Sequence, residues 1–101
     1  MKKSTKAGLA AVIIAASLAT AAPAFATIVN VGGGTWNYGT SYVFPVNKNI
    51  WSHYVHNSKY HSATAIGGSN NVKVFANATL WANADTQSGA AESSATYWAT
   101  Y

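Results

Sequence analysis

The chain has 101 residues, half of them hydrophobic, and a formal charge of +4 from six basic residues against two acidic ones. All six bases are lysines and three stand within the first six residues, so no clustered basic face remains for nucleic acid or for a polybasic membrane contact. Cysteine is absent, so no disulfide staples the fold.

The first element is a leader. Lys2, Lys3 and Lys6 precede an uncharged run over residues 7–20, which is shorter than the about 20 apolar residues of a membrane span. Ala24-Phe25-Ala26 then supplies an A-x-A cleavage pattern, the layout of a secretory signal peptide. An earlier A-x-A at Ala22-Pro23-Ala24 places Pro inside the motif, so the cut is expected after Ala26. The expected organisation is a signal peptide over residues 1–26 and one mature, secreted domain over residues 27–101. The mature chain is not expected to span a membrane. It keeps Lys48, Lys59 and Lys73 against Asp85 and Glu92, a net charge of +1.

Thr, Ser, Asn, Gly and aromatic residues dominate the mature part, which favours strands and turns over helices. Ile28 to Val31 reads as an extended piece ended by Gly32-Gly33-Gly34, and Thr35 to Tyr38 as a short strand closed by Gly39. Tyr42-Val43-Phe44 stops at Pro45, which has no N–H for a ladder bond. Ile50 to Val55 alternates Trp51, His53 and Val55 against Ile50, Ser52 and Tyr54, and Tyr60 to Ile66 alternates similarly. Gly67 to Asn71 is a turn signal joining two paired strands. Val72 to Ala84 shows period-two patterning throughout and is expected as one strand. A second turn is expected from Asp85 to Gly89, and a last strand from Ser94 to Tyr101. Short antiparallel strands separated by turns predict an all-β fold, a small antiparallel β-sandwich of two short sheets.

The mature part holds 12 aromatic residues, more than one small core can hide. Some are therefore expected at the surface or against a second copy, as in a homodimer.

Catalytic and metal chemistry find little support. Paired-acid hydrolysis requires Asp85 and Glu92 to converge on one cleft, and Asp85 fits a turn-opening role. No G-x-S-x-G elbow accompanies the serines and histidines. His53, His56 and His61 lie close in sequence, with His53 and His61 expected on one side and His56 near the connecting turn. Carboxylate or thiolate partners at matching spacing are missing. Neither an enzyme nor a bound cofactor or metal is expected. Asn77-Ala78-Thr79 matches a glycosylation sequon, but inside an expected strand it reads as a chance match. The glycine triplet lacks the following helix of a phosphate loop.

Three blocks carry a resemblance. Gly34-Thr35-Trp36, the run Ser52-x-Tyr54-x-His56-x-Ser58-Lys59-x-His61-Ser62-Ala63-Thr64, and Leu80-Trp81-Ala82 with Ala95-Thr96-Tyr97-Trp98-Ala99-Thr100-Tyr101 resemble the lactococcin 972 family of bacteriocins. The resemblance implies a secreted β-sandwich, a homodimer in the type member, and action without pores. It further implies binding of the cell-wall precursor lipid II and a block of septum formation in related Gram-positive cells. Lipid II offers a pyrophosphate, two amino sugars and a short peptide, which suit Lys, His and hydroxyl donors beside Trp and Tyr faces. Trp36, Tyr54, Ser58, Lys59 and His61 are the candidate ligand-binding residues, with Tyr60 a further aromatic platform. No basic amphipathic helix is present, which favours target capture over membrane disruption. A secreted carbohydrate- or wall-binding module without killing activity, and a surface-interaction protein, draw on the same exposed aromatics.

Overall fold

The computed structural model describes residues 24–101. The leader expected over residues 1–26 lies outside the described residues, except for its last three positions. Seven strands form: β1 (Ala24–Val31), β2 (Gly34–Val43), β3 (Asn47–His56), β4 (His61–Gly67), β5 (Asn70–Ala76), β6 (Ala82–Gly89) and β7 (Ser94–Thr100). They make a four-stranded sheet in the order β1-β2-β3-β6 and a three-stranded sheet in the order β5-β4-β7, with every pairing antiparallel. The expected all-β sandwich of two short sheets is the observed architecture.

Period two decides which residues meet between the sheets. In β3 the even positions Lys48, Ile50, Ser52, Tyr54 and His56 are buried and the odd ones are not. Ala63 and Ala65 of β4 face Ala82 and Ala84 of β6, and all four are fully buried, so small side chains let the sheets approach closely. Ile50 and Tyr54 fill the rest of the core, with Val72, Val74, Trp36 and Trp98 packed around them. Ser52 ties three strands together: it accepts from Trp36 Nε1 at 2.9 Å and donates to the Tyr97 carbonyl at 2.8 Å. A buried hydroxyl is tolerated because both of its roles are filled.

Several expected boundaries shift for physical reasons. β2 runs through Gly39, which is in register with Trp51 on the outer face, where Trp51 Nε1 donates to Asn37 Oδ1 at 3.0 Å. The Val72–Ala84 run is two strands in different sheets, broken over residues 77–81, where Thr79 has a φ of 74°. Even positions face inward on both sides of the break, so the alternation continues across it. Asp85 opens no turn; it lies within β6, opposite Trp51, and its Oδ1 is 2.9 Å from His53 Nε2. The turn after β6 comes later, over residues 90–93. The turn expected from Gly67 to Asn71 is present and tighter, pairing Gly67 with Asn70 around Gly68 and Ser69. The Asn77-Ala78-Thr79 sequon lies in the break after β5 and not inside a strand.

A cut after Ala26 removes three residues of β1, those paired with Ser41, Thr40 and Gly39. Residues 27–31 keep their pairing with β2. No helix among the described residues is long and apolar enough to cross a membrane.

Candidate functional site

The first two blocks that carry the resemblance meet at one end of the sandwich, and the last block runs the length of β7. Gly34 is in register with His56, and Trp36 with Tyr54, so the first two blocks are cross-strand neighbours. Gly32 and Gly33 turn β1 into β2 with φ values of 62° and 85°. A Cβ on Gly32 would stand 2.2 Å from the Trp98 ring, so glycine is required there by packing as well as by conformation. Tyr54 stacks on Trp98 at 5.1 Å between ring centroids, and its hydroxyl donates to the Val31 carbonyl at 2.8 Å. Burial pushes the Tyr54 phenol up, against a smaller opposing effect of a backbone hydrogen bond at Gly34.

Two histidines shape the connection between β3 and β4. His56 is buried, and its Nδ1 accepts the backbone N–H groups of Ser58 at 3.1 Å and Lys59 at 3.0 Å. The lone pair does for this turn what a capping oxygen does for a helix end. His61 is fully buried, with Nδ1 2.7 Å from the Lys59 carbonyl and Nε2 2.7 Å from the Leu80 carbonyl. It stands edge-on to Tyr54. Its ring thereby joins the turn at 57–60 to the loop at 77–81, and Thr79 N–H completes the junction on the His56 carbonyl at 2.8 Å.

These facts redistribute the candidate residues. Tyr54 and His61 offer no surface to a ligand, because both are fully buried and their polar atoms face backbone carbonyls. They hold the site's frame. Trp36 is half-buried on the sheet-facing side of β2, with its indole N–H spent on Ser52 and its ring stacked on Tyr38 at 3.9 Å. Ser58 and Lys59 stand exposed in the turn. The structure therefore brings Ser58 and Lys59 together, places Trp36 apart from them in the sheet, and removes Tyr54 and His61 from direct contact.

Around Lys59 lies an aromatic surface that sequence reasoning did not assemble. Tyr60, Phe75 and Tyr101 form a cluster with centroids 5.7, 5.8 and 5.9 Å apart, and each is roughly half exposed or more. Lys73 Nζ lies 5.2 Å from the centre of the Phe75 ring. Leu80 and Trp81 are exposed on the adjoining loop. The missing signal was the shared outward side of Ser62, Lys73, Phe75, Tyr97 and Tyr101, which emerges only once the β4–β5 and β4–β7 registers are known. The Tyr101 hydroxyl is held below the usual phenol value by its hydrogen bond with Ser62, with burial opposing and Lys73 adding in the same direction.

The three histidines do not converge. His53 points outward from the larger sheet toward Asp85, whereas His56 and His61 point inward, so His53 and His61 do not share a side. Among the described residues no group of three His, Cys, Asp or Glu side chains is placed to hold a metal ion. Asp85 and Glu92 are likewise apart: Asp85 sits on the outer face of β6, and Glu92 accepts from the Gly89 N–H at the opposite end of the sandwich. An open depression of about 400 Å³ lies on the four-stranded sheet beside Trp51 and Asp85 and contains none of the sequence-predicted site residues.

Comparison with known proteins agrees with the blocks. A family model described as bacteriocin (Lactococcin_972) matches residues 32–98, from the Gly32 turn to the Trp98 that packs on it. Neither a curated protein nor a solved structure matches the chain. The matched segment covers all three hairpin turns, the His56 and His61 junction and six of the seven strands wholly or in greater part, so the chain belongs to the lactococcin 972 family of bacteriocins.

Proposed function

We propose that the protein is a secreted bacteriocin that arrests growth of related Gram-positive bacteria by binding lipid II and blocking septum formation. Family membership over residues 32–98 carries this reading. The surface chemistry supports it. Lys59 and Ser58 lie exposed on a turn that His56 and His61 hold in place, so a phosphate acceptor meets donors that are already ordered. Tyr60 and Trp81 flank that turn with exposed rings. The reaction is capture, and no residue is asked to make or break a bond.

Self-association belongs to the same proposal. Seven aromatic residues, Tyr42, Phe44, Tyr60, Phe75, Trp81, Tyr97 and Tyr101, are exposed, together with Ile28, Val46 and Leu80. That much apolar surface on so small a domain supports a homodimer.

A wall-binding module without killing activity is the second reading, favoured by the same exposed rings. Lys59→Ala separates ligand capture from folding. The variant is expected to keep wild-type stability, because the Lys59 ammonium is at the surface. Its lipid II affinity should fall roughly 10- to 100-fold, the loss of one charge-assisted contact. Unchanged lipid II affinity would remove Lys59 from the site, and equal binding of lipid II and plain wall fragments would favour the module.

A further inference from the structure

We propose that removal of the leader bares a self-complementary strand edge on β2, residues 39–43, and that a second copy of the chain pairs there, so that processing permits assembly. The inference rests on the cut after Ala26 and on the self-association reading, to which it adds the surface and the trigger.

The registers carry the argument. Ala24, Phe25 and Ala26 lie along β2 opposite Ser41, Thr40 and Gly39, and Thr27 takes the next row, opposite Tyr38. β2 continues through Tyr42 and Val43, past the start of β1, in register with Lys48 and Asn47 of β3. The cut takes the backbone partners from Gly39, Thr40 and Ser41. With residues 42–43 they form a slot between Thr27 at one end and the Phe44 turn at the other. Two such slots, related by a two-fold axis at Ser41, pair antiparallel: Ser41 with Ser41, Thr40 with Tyr42, Gly39 with Val43. Ser41, Tyr42 and Val43 of the second copy then stand in the rows that Ala24, Phe25 and Ala26 vacate. A small residue again meets Ser41, an aromatic one Thr40 and an aliphatic one Gly39. The faces match too. Gly39 and Ser41 are in register with Trp51 and Asn49 on the outer side, and Thr40 and Tyr42 with buried Ile50 and Lys48 on the inner side. Outer residues thus meet outer ones, and two four-stranded sheets join into one.

This edge lacks the features that keep strands from pairing with other chains. Residues 39–43 include neither a charge nor a proline. The edge strands β5 and β6 carry Lys73 and Asp85. β7 is uncharged, but it packs over β3 and meets β2 only marginally, so β1 and much of β2 project beyond it and obstruct an edge-on copy. Apolar side chains gather beside the slot: Val43, Val46 and Phe44, the last 92% exposed. The pairing covers Val43 and carries Phe44 of each copy to the Thr27 end of the other. The free side of residues 27–31 is open before and after the cut, so dependence on cleavage singles out the slot.

The test is light scattering, across micromolar concentrations, of a form beginning at Thr27 and a form beginning at Ala24. The Thr27 form should dimerise, and the Ala24 form should associate at least about 10-fold more weakly. Ser41→Lys and Ser41→Glu place charges at the axis on the outer face. Each alone sets like charges opposite one another and should weaken the dimer roughly 2- to 5-fold at low salt. Mixed together, the two variants should form heterodimers in excess of the statistical half. Equal association of the Thr27 and Ala24 forms, or statistical mixing of the two charge variants, overturns the proposal and leaves self-association to another face. A Thr27 form that stays monomeric overturns the proposal and the self-association reading together. A secreted product whose mass retains residues 24–26 overturns the proposal through the cut, whatever its oligomeric state.

Discussion

Replacing His61 discriminates most sharply between a ligand contact and a structural tie. The ring is fully buried, each nitrogen is 2.7 Å from a backbone carbonyl, and the two carbonyls belong to different loops. His61→Ala removes the ring N–H that bonds one of the Lys59 and Leu80 carbonyls and leaves a void beside Tyr54. The lost hydrogen bond is worth about 1 kcal/mol, and the void adds to it, as for other large-to-small core changes, for a total of about 3–5 kcal/mol. A domain of this size has only about 4–11 kcal/mol in all. The alanine variant should therefore be marginal or unfolded. His61→Gln keeps an amide donor within reach of one carbonyl and should lose about 1–3 kcal/mol, lowering the melting temperature by roughly 4–24 °C. Urea titration followed by tryptophan fluorescence reads this directly. If His61→Gln kept the wild-type midpoint but lost lipid II affinity, the ring would be a ligand contact and the structural assignment wrong.

Four further outcomes follow from the geometry. Gly32→Ala places a Cβ against Trp98 at a positive φ and should destabilise by more than about 1 kcal/mol in the same titration, whereas Ser69→Ala, in the exposed turn at the far end, should stay within about 0.5 kcal/mol. Ser52→Ala strands the Trp36 indole N–H and the Tyr97 carbonyl and should cost about 1–3 kcal/mol, with a changed Trp36 environment visible by NMR. Because the Tyr54 phenol is raised in the fold, the unfolded chain releases its proton first. Its share of stability is present below about pH 10 and declines as pH rises toward the folded value; Tyr54→Phe should flatten that alkaline decline in stability-versus-pH data. Intact mass of the secreted product should begin at Thr27, and a form retaining residues 1–26 in the culture medium would contradict the leader.

The fold was readable where side chains alternate against a simple core, as in β3, where Ile50, Ser52 and Tyr54 separate cleanly from Trp51, His53 and Val55. It was unreadable where the chain changes sheets without changing parity. Nothing in the alternation of Val72 to Ala84 records that Val74 and Ala84 belong to different sheets, because both face the same core. The site was legible as chemistry and not as geometry. Exposed Ser58 and Lys59 follow from a polar turn, but burial of His61 depends on a carbonyl 19 residues away, and the Tyr60–Phe75–Tyr101 cluster depends on two registers that only strand pairing defines.

Killing in the presence of lipid II tests the account most directly. Secreted protein, added to a related Gram-positive strain with and without excess lipid II, is scored for septum formation and for leakage of a membrane-impermeant dye. The account predicts arrested septa, no leakage, and full protection by lipid II. Dye entry at inhibitory doses, or arrest that lipid II leaves untouched, would contradict it.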